Sequence, residues 1–230
     1  MREITEKDLY YERLADDFER LASEYDTRRR VEVLVDEFLS DVGLAGKSVL
    51  DVGCGFGAFS RRLHECGADV LTTDLSAELA SRAGRSAGTR WCAADALALV
   101  DQFGRDRFDV VVSSECVEHT PDPAEAVRQM AAVLKPGGYL SLSTPNVVWQ
   151  PVVRLASRIG ARPFDGYEHF LSWRALRRSV RDGGAEIVRE RGLHLFPFQT
   201  RLHRTLRWLD GHCQWARPVM INMCVLARKA

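Results

Sequence analysis

Apolar residues recur three and four apart in LYYERLADDFERLASEY and again in RRRVEVLVDEFLSDV, which predicts helices across residues 6–42. From Lys47 to Asn146 the pattern changes to short apolar runs alternating with helix-like segments. SVLDVG, DVLTTD, TRWCAAD, FDVVVSS and YLSLSTP read as strands, and FSRRLHECG and AEAVRQMAAVL are among the helices between them. Alternation at this spacing predicts an α/β fold, a parallel sheet with helices on both faces. LKPGGYL places a Pro-Gly-Gly break between helix and strand. After Asn146 come a helix at SWRALRRSVRDG, a sixth strand at AEIVRERG and a seventh at VMINMCVLAR, with no internal repeat.

Composition bounds this picture more than it sharpens it. With 230 residues, 46% hydrophobic and 28% charged, the chain fits one ordinary domain with an appended cap. The formal net charge of zero gives no global sign of a nucleic-acid binder. Charge is unevenly spread: the first 46 residues are rich in acids, and residues 150–217 are rich in arginine. The six cysteines form no C-x-x-C pair and read as reduced and mostly buried. The start, MREITEKDLYYERL, has no apolar signal region, and no apolar run reaches the ~20 residues needed to span a bilayer. These features predict a cytoplasmic protein.

The first candidate chemistry lies in VLDVGCGFGAF, residues 49–59. Gly53, Gly55 and Gly57 follow a strand, and Gly53-Cys54-Gly55-Phe56-Gly57-Ala58 fits the G-x-G-x-x-G/A turn of dinucleotide sites. Asp74 even falls about 20 residues further on, where an acid binds a ribose. Asp51 argues for a different ligand. A pyrophosphate at this turn would be repelled by a carboxylate, whereas a ligand carrying an ammonium and a sulfonium would be attracted. S-adenosylmethionine has both cations and no phosphate.

VLDVGCGFGAF also resembles motif I of the class I S-adenosylmethionine-dependent methyltransferases. The resemblance continues in order through TTDLS, AAD, FDVVVSSECVEH and LKPGGYLSLSTPN, over roughly residues 30–230. It implies a Rossmann-like, seven-stranded, mostly parallel sheet with an antiparallel last strand, helices on both faces and a small helical cap. Residues 1–46 would form N-terminal helices covering the cofactor site. Residues 47–230 would form the core, with cap inserts near 147–172 and 194–218. Carried over by residue, the resemblance has Gly53 and Gly55 admit the methionine moiety and Asp51 accept from its ammonium. Asp74 would take both ribose hydroxyls, and Asp95 would take the adenine amino group, with Ala94 and Ala96 flanking the ring. Ser114 and Glu115 would lie near the methyl donor. A helix N-cap is the competing reading of Asp95.

SSECVEHTPDP carries a second constellation. Glu115, Glu118 and His119 have the spacing E-x-x-E-H, and in a helical turn these positions share one face. Two carboxylates and an imidazole there would suit a divalent cation such as Mg²⁺. The spacing is similar to that of the ubiquinone-pathway O-methyltransferases, in which such a cluster is associated with a metal serving catechol-type methylation. Without a metal, His119 suits a general base and the acids suit a helix start. His169, in DGYEHFLSW, is the other candidate base, with a helix cap as its competing reading.

Two cap segments read as basic amphipathic helices. One has Val152, Val153, Leu155, Ala156 and Ile159 beside Arg154, Arg158 and Arg162, and the other has Leu202, Leu206 and Leu209 beside Arg201, Arg204 and Arg207. A lid over the site is preferred to a contact with a membrane surface. Tyr10, Tyr11 and Tyr25 are candidate cofactor contacts from the N-terminal side. The expected activity is methyl transfer from S-adenosylmethionine to a small-molecule acceptor, first a hydroxyl of a phenolic or natural-product intermediate. N- or C-methylation of an amino sugar or other secondary metabolite is the alternative. An NAD-dependent oxidoreductase and a non-methylating relative that keeps the pocket are the other classes. No nucleic-acid motif is present: Ser113-Ser114-Glu115 stands after the fourth strand, and no aromatic residues interleave a basic stripe. Oligomeric state is not legible.

Overall fold

Seven strands form one sheet in the computed structural model, which describes residue 5 and residues 23–160, 166–197 and 202–230. They are β1 (Ser48–Val52), β2 (Asp69–Asp74), β3 (Arg90–Ala93), β4 (Phe108–Ser114), β5 (Leu134–Pro145), β6 (Ala185–Leu193) and β7 (Asn222–Lys229). The order is β3-β2-β1-β4-β5-β7-β6. The first five strands pair in parallel, and β7 runs antiparallel between β5 and β6. This is the predicted Rossmann-like architecture.

The period-2 alternation of the strands splits the core into two layers. Leu50, Val52 and Val111 face one helical layer with Met130, Leu142 and Leu176. Val49, Val110 and Val112 face the other with Leu34, Phe59 and Leu63. The first layer holds α4 (Leu99–Phe103), α5 (Pro123–Ala132) and α7 (Trp173–Asp182). The second holds α1 (Glu24–Val31), its π-helical continuation Glu32–Glu37, and α2 (Ala58–Glu65). Between β2 and β3 runs α3 (Ala77–Ala87), capped at its start by Ser76, whose Oγ accepts from Leu79 N at 3.2 Å. Asp122 and Ser172 cap α5 and α7 in the same way.

Four details differ from the sequence expectation. Ser23 caps α1, so the second N-terminal helix begins at Glu24 rather than at Arg28. The Pro-Gly-Gly break lies inside β5, where Lys135–Gly138 loop out between the pairs Phe108–Leu134 and Val110–Tyr139. Helix α6 (Gln150–Arg158) buries none of its residues: Val152 and Leu155 are more than half exposed and Ile159, just beyond it, is 71% exposed. Its apolar stripe therefore does not pack as the expected lid, whereas α8 (His203–His212) buries Leu206 and Asp210. Finally, Cys54 and Cys224 are buried and the other four cysteines are half-buried, with no disulfide. No helix among the described residues is long and apolar enough to cross a membrane.

Candidate active site

The strand order reverses between β1 and β4, and a crevice at the carboxyl ends of parallel strands is where such sheets take ligands. Asp51, near the end of β1, is buried. Its Oδ2 accepts from Ser60 Oγ at 2.5 Å, and Thr72 Oγ1 donates to Ser60 at 2.8 Å. Burial pushes the Asp51 carboxyl up to about 7, with the charge of Asp74 adding to the rise and the Ser60 hydrogen bond opposing it.

The glycine turn follows at once. Gly53 and Cys54 both donate backbone N–H bonds to Thr73 O at 2.9 Å, tying the turn to β2. Gly53 has φ +73°, and a Cβ there would lie 2.4 Å from Cys116 Sγ, so only glycine fits. Gly55 donates to Asp74 Oδ2 at 3.2 Å, and Asp74 Oδ1 accepts from Ser76 N at 3.1 Å. Asp74 is thus oriented at the end of β2 by the turn and by the start of α3.

Asp95 follows β3. Its Oδ1 accepts from Leu97 N at 2.9 Å, which is a local turn rather than a helix cap, since Ala98 is the N-cap of α4. Ala94 and Ala96 on either side are buried.

At the end of β4 the chain makes a left-handed turn at Glu115, φ +53°, followed by a single 3₁₀ turn, Val117–His119. This geometry replaces the single α-helical face that the E-x-x-E-H spacing suggested. Glu115 accepts from Ser143 Oγ at 2.9 Å and Asn222 Nδ2 at 2.8 Å. Glu118 accepts from Thr144 Oγ1 at 3.1 Å, and His119 Nδ1 meets Tyr167 O at 2.9 Å. Glu118 Oε1 and His119 Nε2 are 3.8 Å apart. Among the described residues no three His, Cys, Asp or Glu groups form a set able to hold a metal ion. The expected divalent-metal site at Glu115, Glu118 and His119 is therefore not formed by these donors. Burial raises both carboxyls: Glu115 is opposed by Arg30, and Glu118 stands well above the usual range with Glu115 adding to the rise.

His169 is exposed and is drawn to the same region. Its backbone N–H donates to Glu118 O at 2.8 Å, and its Nδ1 meets Thr120 O at 3.1 Å. Ser172, not His169, caps α7. A carbonyl oxygen only accepts, so in the neutral rings of His119 and His169 Nδ1 carries the proton and Nε2 is the basic nitrogen.

Tyr25 is a core residue. It stacks on His203 with centroids 3.9 Å apart, and its hydroxyl donates to His203 O. Tyr10 and Tyr11 lie outside the described residues. One residue that the pattern did not single out belongs to this region: Arg30 of α1, whose Nη1 donates to Ser114 Oγ at 2.6 Å. It lies in a run of three arginines that reads as a solvated helix face, and no local signal marks it as half-buried against the sheet.

Residues 13–190 match a family described as a methyltransferase domain. The chain belongs to the class I S-adenosylmethionine-dependent methyltransferases. It is similar to a ubiquinone biosynthesis O-methyltransferase of Bordetella avium, 37% identical over 169 residues covering 67% of this chain and 68% of that one. A Leptothrix cholodnii protein of the same name is 36% identical over 202 residues, covering 81% and 79%. In fold it is similar to the magnesium protoporphyrin IX methyltransferase of Synechocystis PCC 6803 with bound S-adenosylhomocysteine, at a TM-score of 0.68 and 18% identity over 97% and 98% of the chains. The residues of this methyltransferase fit its methyl donor on their own chemistry. The glycine turn excludes side chains, and a buried carboxyl raised to about 7 stands ready to ionise against an ammonium.

Proposed function

We propose that this methyltransferase methylates a hydroxyl oxygen of a small molecule, a phenol or a comparable natural-product intermediate. The observation that carries this reading is the pair of imidazoles beside the end of β4, each held by Nδ1 on a backbone carbonyl so that Nε2 is the base. A hydroxyl needs such a base; an amine that is already neutral does not. The relatives named as ubiquinone O-methyltransferases support the choice of oxygen.

In this reading Asp51 pairs with the ammonium of the donor, Asp74 accepts from the ribose hydroxyls and Asp95 accepts from the adenine amino group. Ala94 and Ala96 flank the ring, and Gly53 and Gly55 let the backbone approach. Ser114 and Glu115 border the methyl donor. When bound, S-adenosylmethionine supplies an electrophilic methyl carbon and leaves as S-adenosylhomocysteine. His119, half-buried, takes the acceptor's hydroxyl proton on Nε2 as the oxygen attacks, and His169 helps position the acceptor from the exposed side. Burial holds the Glu118 carboxyl beside His119 well above the usual carboxylate range.

The test is methyl transfer from isotopically labelled S-adenosylmethionine to a panel of phenols, aliphatic alcohols, amines and carbon nucleophiles, with the product bond assigned by NMR. O-methyl products are expected, with kcat in His119→Gln reduced about 100-fold or more. Label found only on nitrogen or carbon overturns the choice of acceptor atom.

A further inference from the structure

A line of hydrogen bonds crosses the molecule from the cap to the end of β4. Asp210 of α8 accepts at Oδ1 from the backbone N–H of His194 at 2.9 Å and of Leu195 at 3.3 Å. His194 Nε2 meets Asp26 Oδ1 at 2.9 Å. The other oxygen of Asp26 accepts from Arg30 Nε at 3.1 Å and Nη2 at 2.9 Å. Arg30 then donates through Nη1 to Ser114 Oγ at 2.6 Å. His194 and Asp210 are fully buried.

Direction can be assigned at the far end. A guanidinium has no acceptor, so Ser114 receives from Arg30 and its own hydroxyl hydrogen is available to Ser143, 2.9 Å away. Ser143 in turn donates to Glu115 Oε1. One half-buried cation thereby sets the orientation of two hydroxyls and faces them toward the Glu115 carboxyl.

Backbone conformation is an independent sign that this line is built. Among the described residues the non-glycine positions with positive φ are Asp106, Glu115 and His194. Asp106 lies in a surface turn, and the other two stand at the two ends of the line. Such conformations persist where the surroundings over-determine them, and they gather at functional sites. Apolar side chains would fill this space at least as stably as two acids, an arginine and a histidine, so the retained groups are read as setting geometry.

We infer that His194 and Asp210 are positioning residues for methyl transfer. Asp210 fixes the backbone of His194, and His194 fixes one oxygen of Asp26. The remaining oxygen then holds the Arg30 plane with its Nη1 edge on Ser114. The cap helix and the β4 end of the donor site are set as one unit. This inference rests on Ser114 and Glu115 bordering the methyl donor.

The experiment is calorimetric titration of the full-length protein with S-adenosylhomocysteine, alongside thermal unfolding. His194→Ala is expected to weaken binding about tenfold or more. His194→Gln, whose amide can reach Asp26, stays within about threefold of the unaltered protein, whereas His194→Asn, one methylene shorter, behaves like the alanine variant. The Gln and Asn pair decides the matter if the alanine variant does not fold. In an Arg30→Lys background the His194 substitution adds no further loss of affinity, although it still lowers Tm. Additive losses, or a lowered Tm with unchanged affinity, overturn the inference. If Asp74→Ala abolishes binding while the Arg30 and His194 variants bind normally, only the positioning role fails. If Asp74→Ala also binds normally, the assigned donor seat fails.

Discussion

Asp51 is a carboxyl group out of contact with water, and its hydrogen-bond partner Ser60 is itself buried. In the unfolded chain it titrates near the ordinary aspartate value, ~3.9, and in the fold at about 7. The sign follows from proton counting. Between those values the folded protein binds more protons than the unfolded one, so unliganded stability is fully present below ~4 and declines as pH rises toward ~7. A ligand bearing an ammonium pairs with the ionised form, so its affinity changes in the opposite sense. Binding of S-adenosylhomocysteine is expected to tighten from about pH 6 to about pH 7.5 with proton release, seen by calorimetry in buffers of different ionisation heat. Asp51→Asn should bind more weakly and show a flat profile. A flat profile in the unaltered protein would sink the assignment of Asp51 to the ammonium.

Among the elements, α3 illustrates how a cap serves the site. Ser76 closes the N-terminus of the helix through Leu79 N, while its own backbone N–H is bonded to Asp74. Replacing Ser76 by alanine removes one side-chain acceptor and is expected to cost about 1 kcal/mol, read as a fall in Tm of roughly 2–4 °C. The backbone bond to Asp74 survives that change, so S-adenosylhomocysteine affinity should hold within about twofold. A large loss of affinity would mean that the cap, and not the turn alone, aims Asp74. Helix α6 makes the contrary case. Its sequence is amphipathic, yet it buries none of its residues, because periodicity records that an apolar face exists and not what meets it.

At the scale of the whole molecule, donor binding and folding are linked. The proposed seat draws on the ends of β1, β2 and β4 together, so a ligand held there would favour only the assembled sheet. S-adenosylhomocysteine at about 100 times its Kd should add ~2.7 kcal/mol of stability and raise Tm by about 5–10 °C in a thermal scan. Asp74→Ala should abolish that rise. A shift that persists in the variant would point to a ligand seat elsewhere.

What the amino-acid order determined by itself is what short-range physics governs. Seven strands were legible because apolar runs of the right length alternate with helical periods, and the turn at Gly53 was legible because a backbone approach demands glycine wherever it occurs. Asp51, Asp74 and Asp95 were legible as candidates because each stands at or just beyond a strand end, a place the local pattern marks. Tertiary structure decided the rest. The E-x-x-E-H spacing looked like one helical face until the left-handed turn at Glu115 and the 3₁₀ turn after it sent the carboxylates toward Asn222 and Thr144. Arg30, Asp26 and His194 carried no local mark, since Arg30 and Ser114 are 84 positions apart and Asp26 and His194 are 168. A charged residue in a charged helix reads as solvated. Only the packing of α1 over the sheet removes the water, and once it is gone each polar group must find its partner wherever the chain has brought one.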